Sequence, residues 1–100
     1  MLRHIVLFKF YENVSNEEIA QVVNAFDCLP EKIPVIKAFE CGINNSPENL
    51  NNGFTHCFLM TFDSEKERDE YLPHFEHKAF SNLVKSFVDK VLVVDYTISC

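Results

Sequence analysis

Residues 4–10 read His-Ile-Val-Leu-Phe-Lys-Phe, a run of β-branched and aromatic side chains that predicts a β-strand. Successive side chains of a strand point to opposite faces of the sheet, so Val6 and Phe8 share one face. Ile5 and Leu7 share the other face, which is equally apolar. A strand of this kind must be covered on both sides, and that requirement decides the fold.

The segments that follow alternate between helical and strand-like patterns. Ser15-Asn-Glu-Glu18 is a capping box that starts a helix, and Pro30 and Pro34 close that helix. A second capping box begins at Ser64, and Pro73 breaks the helical stretch that follows it. The remaining predicted elements are strands at Val35–Ile43, Phe54–Phe62 and Val91–Ile98, and a helical stretch carrying Phe80, Leu83, Val84, Phe87 and Val91.

This order, β-α-β-β-α-β, predicts a ferredoxin-like α+β fold. Right-handed crossovers place both helices on one face of a four-stranded sheet and leave the other face bare. The last strand is also apolar on both sides, with Val91 and Val93 lying opposite Leu92, Val94 and Tyr96. The economical cover for the bare face is the same face of a second copy, so the pattern predicts an obligate homodimer.

Composition narrows the class of protein further. One hundred residues predict one domain, 1–100, and ten Phe residues supply a dense core. A net charge of −6 argues against a nucleic-acid partner, and no apolar run reaches the roughly 20 residues of a membrane helix. Lys9 interrupts the apolar start and no cleavage site follows, so a cytoplasmic protein without a signal peptide is predicted. The four cysteines form no Cys-x-x-Cys pair, and Cys100 is expected to be the exposed, reactive thiol.

Ionisable side chains occur where folding should bring the two ends of the chain together. An imidazole titrates near neutral pH and can accept a proton, and a phenol can donate to a developing oxyanion. We therefore interpret His77 as a general base, Tyr71 as an oxyanion donor, and Asp95 as the carboxylate that accepts the second ring N–H of His77. The alternative is that His77 and Asp95 pair only to satisfy each other's hydrogen bonds.

A pocket for a hydrophobic small molecule is predicted between the sheet and the helices. His4 has the strand parity of Val6 and Phe8, so it would lie at the rim and bind a polar end of the ligand, unless it is an ordinary strand residue. The residues predicted to line the pocket with His4 are Val6, Phe8, Phe26, Phe58, Met60, Phe80, Leu83 and Phe87. The alternative is that these side chains simply fill the core.

Two further histidines carry weaker signals. His74 and His77 are three residues apart, but the segment fits neither His-Glu-x-x-His nor His-x-x-Glu-His, so no metal site is predicted. His74 is expected to face solvent. His56 opens the third strand and is expected to make a hydrogen bond at the edge of the dimer.

Several short motifs, in this order along the chain, resemble the stress-responsive dimeric α/β-barrel (Dabb) family. The likeness covers essentially the whole sequence. The motifs are His4-Ile-Val-Leu-Phe-Lys-Phe10, Gly53-Phe-Thr-His56, Thr61-Phe-Asp-Ser64, Tyr71…His74…His77…Phe80 and Lys90-Val-Leu-Val-Val-Asp95-Tyr96.

The resemblance implies a ferredoxin-like monomer that pairs sheet to sheet into a dimeric α/β barrel. A plant cyclase of the family performs an aldol condensation on a linear polyketide with a Tyr and a His, which correspond to Tyr71 and His77. Its strand-one His and C-terminal Asp correspond to His4 and Asp95. This chain has His74-Phe-Glu-His77 where plant members have His-Pro-Ala-His, and Cys41 where they have Trp, so the polyketide substrate is not carried over.

Three hypotheses about function follow. The first is a small dimeric enzyme that catalyses proton transfer or aldol-type cyclisation on a hydrophobic oxygenated molecule. The second is a non-catalytic, stress-associated dimer with a ligand-binding or structural role. The third is a haem- or oxygen-dependent monooxygenase like those on other dimeric α/β barrels, which ranks last because no residue pattern fixes a cofactor and none is expected.

Overall fold

The computed structural model describes residues 1–99, so the prediction for Cys100 lies outside the described residues. Residues 1–99 form four strands and four helices. In order they are β1 (Leu2–Phe10), α1 (Asn16–Asp27), α2 (Leu29–Lys32), β2 (Ala38–Ile43), β3 (His56–Phe62), α3 (Glu65–Tyr71), α4 (Phe75–Val84) and β4 (Val88–Thr97).

The four strands form one antiparallel sheet in the order β2-β3-β1-β4. This confirms the ferredoxin-like α+β fold. The strand β1 lies inside the sheet, between β3 and β4, and its register sets His4 opposite both Met60 and Asp95. Residues from the beginning and the end of the chain therefore meet on neighbouring strands.

Successive side chains of β1 point alternately to a buried face and to a half-buried face of the sheet. Its even-numbered residues from Leu2 to Phe10 are buried against the helices, and its odd-numbered residues lie on the opposite face. The core beneath the helices is rich in aromatic rings, and its centre is the stacked pair Phe26 and Phe58, whose ring centroids are 4.3 Å apart. The side chains of α1 reach this core because Ser15 and Glu18 form the predicted reciprocal capping box, which fixes where the helix begins.

Several predicted boundaries were wrong, including the start of the third strand, which lies at His56 instead of Phe54. Helix α4 ends at Val84, and neither Phe87 nor Val91 is helical. The amide of Phe87 donates to the carbonyl of Val84 in a turn, and β4 then begins at Val88. Steps of three and four residues were misleading here, because the same apolar positions also fit a valine-rich strand that pairs with β1.

The second strand also begins later than predicted, at Ala38 instead of Val35. Ile36 lies in a turn closed by its amide hydrogen bond to the carbonyl of Ile33, and its side chain is buried in the core. The local turn therefore competes successfully with extension of the strand.

The sheet face opposite the helices is apolar and uncovered within one chain. On β4, Leu92, Val94 and Tyr96 are 43%, 51% and 49% exposed. Through the register with β1 they lie beside Leu7, Ile5 and Arg3. We call this surface the open face; a contiguous apolar surface of this kind is typical of an interface between protein chains.

Replacing Leu92 with aspartate should convert a homodimer into monomers. If the open face is the interface, the carboxylate would be buried against the partner without a counter-charge, which costs several kcal/mol. Light scattering coupled to size exclusion measures the mass. The matched control is Leu83→Asp, because Leu83 is equally exposed but lies on α4, on the other side of the sheet. A Leu92→Asp protein that stays dimeric would contradict this assignment.

None of the helices within residues 1–99 is long and apolar enough to cross a membrane.

Candidate functional site

The register of β1 and β4 builds the first part of the site. His4 is directly opposite Asp95, and its Nδ1 lies 2.6 Å from the Asp95 Oδ1. An ionised carboxylate only accepts hydrogen bonds, so Nδ1 carries the proton and donates it. This corrects the prediction that Asp95 orients His77, since the carboxylate pairs with His4 instead. Strand parity identified the face on which His4 lies, whereas the register decides its partner.

Arg68 completes the surroundings of Asp95. Its terminal Nη1 donates to the Asp95 Oδ2 over 3.0 Å, so each carboxylate oxygen accepts from a different side chain. The sequence interpretation missed Arg68. The signal was available, because Arg68 precedes Tyr71 by three residues on a predicted helix, and this spacing places both on one helix face.

Tyr71, the last residue of α3, lies between the two imidazoles. Its ring centroid is 5.8 Å from that of His4 and 4.4 Å from that of His77. The residue is 1% exposed, and burial raises the pKa of its phenol well above the usual value. The phenol therefore stays protonated at neutral pH and acts as a hydrogen-bond donor.

His77 lies in the first turn of α4, and its Nδ1 is 2.8 Å from the backbone carbonyl oxygen of Leu72. A carbonyl oxygen only accepts, so Nδ1 of the neutral ring carries the hydrogen and Nε2 carries the lone pair. The break at Pro73 separates α3, which is capped by Leu72, from α4, which carries His77. The ring is thus oriented by the backbone, in the role predicted for Asp95.

The polar atoms of this cluster retain some access to solvent. No hydrogen bond joins the Tyr71 hydroxyl, or Nε2 of His4, to another of residues 1–99. Within the same residues, every fully enclosed side-chain nitrogen or oxygen has a hydrogen-bond partner. These two atoms are therefore not fully enclosed. We call His4, Tyr71, His77 and Asp95, together with Arg68, the imidazole cluster.

The residues predicted to wall a ligand pocket take different positions. Val6, Phe8, Phe26, Phe58, Met60 and Phe80 are buried in the core, Phe87 packs against it, and Leu83 is exposed. A groove of about 270 Å³ between α1, α2 and α4 is lined by Phe80 and Leu83. A larger concavity of about 620 Å³ lies on the open face, beside Leu92 and Tyr96. Neither of these two cavities includes the imidazole cluster, so the pocket stays a prediction.

Two other histidines have structural partners. His74 is half-buried rather than solvent-facing, because its Nδ1 accepts the backbone N–H of Glu76 and so caps α4. His56 lies with its Nδ1 2.8 Å from the hydroxyl of Thr55 and packs edge-on against Phe10.

Acid should destabilise the fold through His4. Burial lowers the pKa of its imidazole below 6.5, although Asp95 acts in the opposite direction. Just below pH 6.5, His4 therefore binds a proton in the unfolded chain but not in the folded chain. The stability that the neutral, buried His4 contributes is complete above pH 6.5 and is lost as the pH falls below that value.

Urea unfolding at a series of pH values measures this loss as a fall in the free energy of unfolding. His4→Asn keeps a donor at the position of Nδ1 but does not titrate, so its stability should depend less on pH. His56→Gln is a second test of the same effect: burial also lowers the pKa of His56, so this variant too should depend less on pH than the wild type. Equal pH slopes in the wild type and His4→Asn would contradict the prediction.

A four-stranded ferredoxin-like sheet with one bare apolar face, and a cluster of ionisable side chains at the junction of its first and last strands, defines a class of small α+β proteins. Within that class, the family model for the stress responsive A/B barrel domain, Dabb, matches residues 2–98, and the chain belongs to this family.

Two relatives illustrate the range of the family. The Arabidopsis thaliana stress-response A/B barrel domain-containing protein HS1 is 38% identical over 95 residues, which are 95% of this chain and 87% of the relative. Olivetolic acid cyclase from Cannabis sativa is 27% identical over 96 residues, 96% of this chain and 95% of the cyclase.

Solved structures agree with the fold. Hydroxynitrile lyase from Passiflora edulis superposes with a TM-score of 0.92 at 25% identity, covering 98% of this chain and 93% of the lyase. A dimeric protein of ferredoxin-like fold from Bacteroides fragilis superposes with a TM-score of 0.77 at 32% identity, covering 97% of this chain and 95% of its own. Similar structures thus include dimers, in line with the predicted homodimer.

Proposed function

We propose that this protein is a homodimeric enzyme that breaks or forms a carbon–carbon bond in a hydrophobic, oxygenated small molecule by proton transfer. The imidazole cluster is the proposed catalytic site. The observation that carries the proposal is the placement of one protonated phenol, Tyr71, between two imidazoles whose Nδ1–H groups are already engaged, at His4 and His77.

Each group then has a distinct chemical role. His77 presents the lone pair of Nε2 and removes a proton from the substrate, either from carbon beside a carbonyl or from a hydroxyl group. Tyr71 donates its hydrogen bond to the oxygen on which negative charge develops. Asp95 holds His4, whose free Nε2 accepts from the substrate. When a bond forms, the proton on His77 passes to the new alkoxide oxygen, and when a bond breaks it passes to the carbon leaving group, which restores the resting enzyme.

Two of the similar proteins support this class of reaction. One is a cyclase and one is a lyase that takes hydroxynitriles, and both match almost the full length of this chain. In a cyclisation of the aldol type the proton leaves carbon and the new bond forms at the enolate. In the cleavage of a hydroxynitrile the proton leaves oxygen, the bond to the nitrile carbon breaks, and the cyanide takes up a proton. A positioned base and a neutral phenol serve both reactions.

The test is an assay of the purified dimer against two probes. One is an aromatic cyanohydrin, followed by aldehyde release, and the other is a linear poly-β-ketone thioester, followed by formation of a cyclic product. Tyr71→Phe removes only the hydroxyl and should lose most of any turnover. Tyr11→Phe is the matched control, because it removes the same group from an exposed tyrosine. Turnover by Tyr71→Phe at the wild-type rate would remove Tyr71 from the mechanism.

A non-catalytic dimer is the second candidate, and one observation favours it. Tyr71 is 1% exposed, and its ring packs against that of Phe62 with the ring centroids 5.3 Å apart. A protein of this type would turn over neither probe, and hydrophobic small molecules would not perturb the NMR signals of Tyr71 and His77.

A further inference from the structure

We propose that Arg68 is a positioning residue that holds the Asp95 carboxylate and thereby keeps His4 as a neutral imidazole whose basic Nε2 faces the site. This inference deepens the proposed function and rests on it for its catalytic meaning. Arg68 makes its contact through Asp95 and not through the expected substrate position, so it is not itself a catalytic residue.

The geometry of the carboxylate carries the argument. Asp95 accepts from His4 at one oxygen, over 2.6 Å, and from Arg68 at the other, over 3.0 Å. The guanidinium is itself fixed, because its Nε donates to Asp69 over 3.0 Å. Its other terminal nitrogen, Nη2, lies 3.8 Å from Glu65. A planar guanidinium that donates to Oδ2 favours the orientation of the carboxylate in which Oδ1 meets His4.

The charges around His4 explain why such a residue is useful. Four groups face the ring: Asp95 from β4, Arg68 and Tyr71 from α3, and His77 from α4. Alone, Asp95 would draw a proton onto His4 and convert it into an imidazolium, which has no lone pair. Burial is the main cause that lowers the pKa of His4, and the positive charges of His77 and then of Arg68 act in the same direction.

One helix therefore supplies both the phenol and the cation. Arg68 and Tyr71 are three residues apart on α3, which places both on one face of that helix. The phenol and the cation are thus placed by α3, whereas His4 and its Nε2 belong to β1. Any displacement of α3 would move both groups together relative to His4.

The experiment is an NMR titration of the intact protein labelled with ¹⁵N-histidine, without substrate. In Arg68→Gln the titration midpoint of His4 should move to higher pH, because the opposing charge is gone while a hydrogen-bond donor remains. Arg68→Lys restores the charge and should return the midpoint towards that of the wild type. Lys66→Gln removes a charge from an exposed position on the same helix and should leave His4 unchanged.

An unchanged midpoint in Arg68→Gln overturns the inference, and so does an equal displacement in Lys66→Gln. If Arg68→Gln does not fold, Arg68→Met provides the same measurement with the apolar part of the side chain retained.

The two proposals fail in different ways. A His4 midpoint that moves as expected, in a protein that turns over neither probe, supports the role of Arg68 and counts against the enzyme. Turnover that depends on His77, with a His4 midpoint indifferent to Arg68, overturns only the role of Arg68. Where both hold, the acid limb of the pH–rate profile should move with the His4 midpoint.

Discussion

Replacing His77 with alanine should lower turnover by about 10²- to 10⁴-fold, the usual contribution of a positioned general base. The imidazole is the one group of the cluster whose Nδ1 is oriented by a backbone carbonyl, that of Leu72, with its Nε2 lone pair left for the substrate. The variant loses one hydrogen bond at the surface of the protein, which costs about 1 kcal/mol of stability, so it should remain folded and dimeric. The measurement is kcat and KM for whichever probe the wild type accepts.

The matched control for His77 is His74→Asn. It removes a neighbouring imidazole but keeps a side chain that caps α4, because asparagine is a favoured residue at that position. Turnover should stay close to the wild-type value. Wild-type kcat in His77→Ala, or equal losses in both variants, would show that the imidazole of His77 is not the base.

Replacing Phe58 with alanine should reduce the free energy of unfolding by about 3–5 kcal/mol, the cost of removing a buried aromatic ring. Phe58 has no exposed surface, and its ring stacks on that of Phe26. The centroid of the Phe58 ring is 4.3 Å from that of Phe26 and 5.1 Å from that of Phe8. The strands and α1 cannot close the cavity, because their backbones are fixed by the sheet and by the packing of the remaining rings. Urea unfolding followed by circular dichroism measures the loss.

An exposed phenylalanine provides the comparison. Phe75 is 71% exposed at the start of α4, so Phe75→Ala should change the free energy of unfolding by less than about 1 kcal/mol. A small loss in Phe58→Ala would mean that the core collapses around the missing ring. Such a core would be soft enough to admit a ligand, which bears directly on the pocket predicted between sheet and helices.

The fold could be predicted because its main signals are local. Alternation along residues 4–10 and the capping box at Ser15 depend only on neighbouring side chains, and both are confirmed. The boundary between α4 and β4 was missed because apolar residues at steps of three and four also fit a strand. Pairing with β1 in the folded sheet decides whether these residues form a helix or a strand, and that pairing cannot be read from a single sequence.

The proximity of His4, Tyr71, His77 and Asp95 could be predicted, but their hydrogen-bond partners could not, and their role as a site stays a prediction. His4 and Asp95 are partners because of the register between β1 and β4, which includes an irregularity at Lys9 and Phe10. Register is a property of the assembled sheet, and a shift of one residue would have turned Asp95 to the other face. The partner of His77 is a backbone carbonyl, which no pattern of side chains can indicate.

The pairing of β1 with β4 also has a consequence for the kinetics of folding. Its two sides are far apart in the chain, since His4 and Asp95 are separated by 91 positions. Closing so long a loop is entropically costly and non-local pairings form slowly, so we expect this edge of the sheet to form late. Until then the inner strand β1 presents an unpaired, apolar edge to other chains. The interval before β4 docks is therefore when the protein is most prone to aggregate, and variants that weaken this pairing should reduce the yield of refolding more than they reduce the stability of the folded dimer.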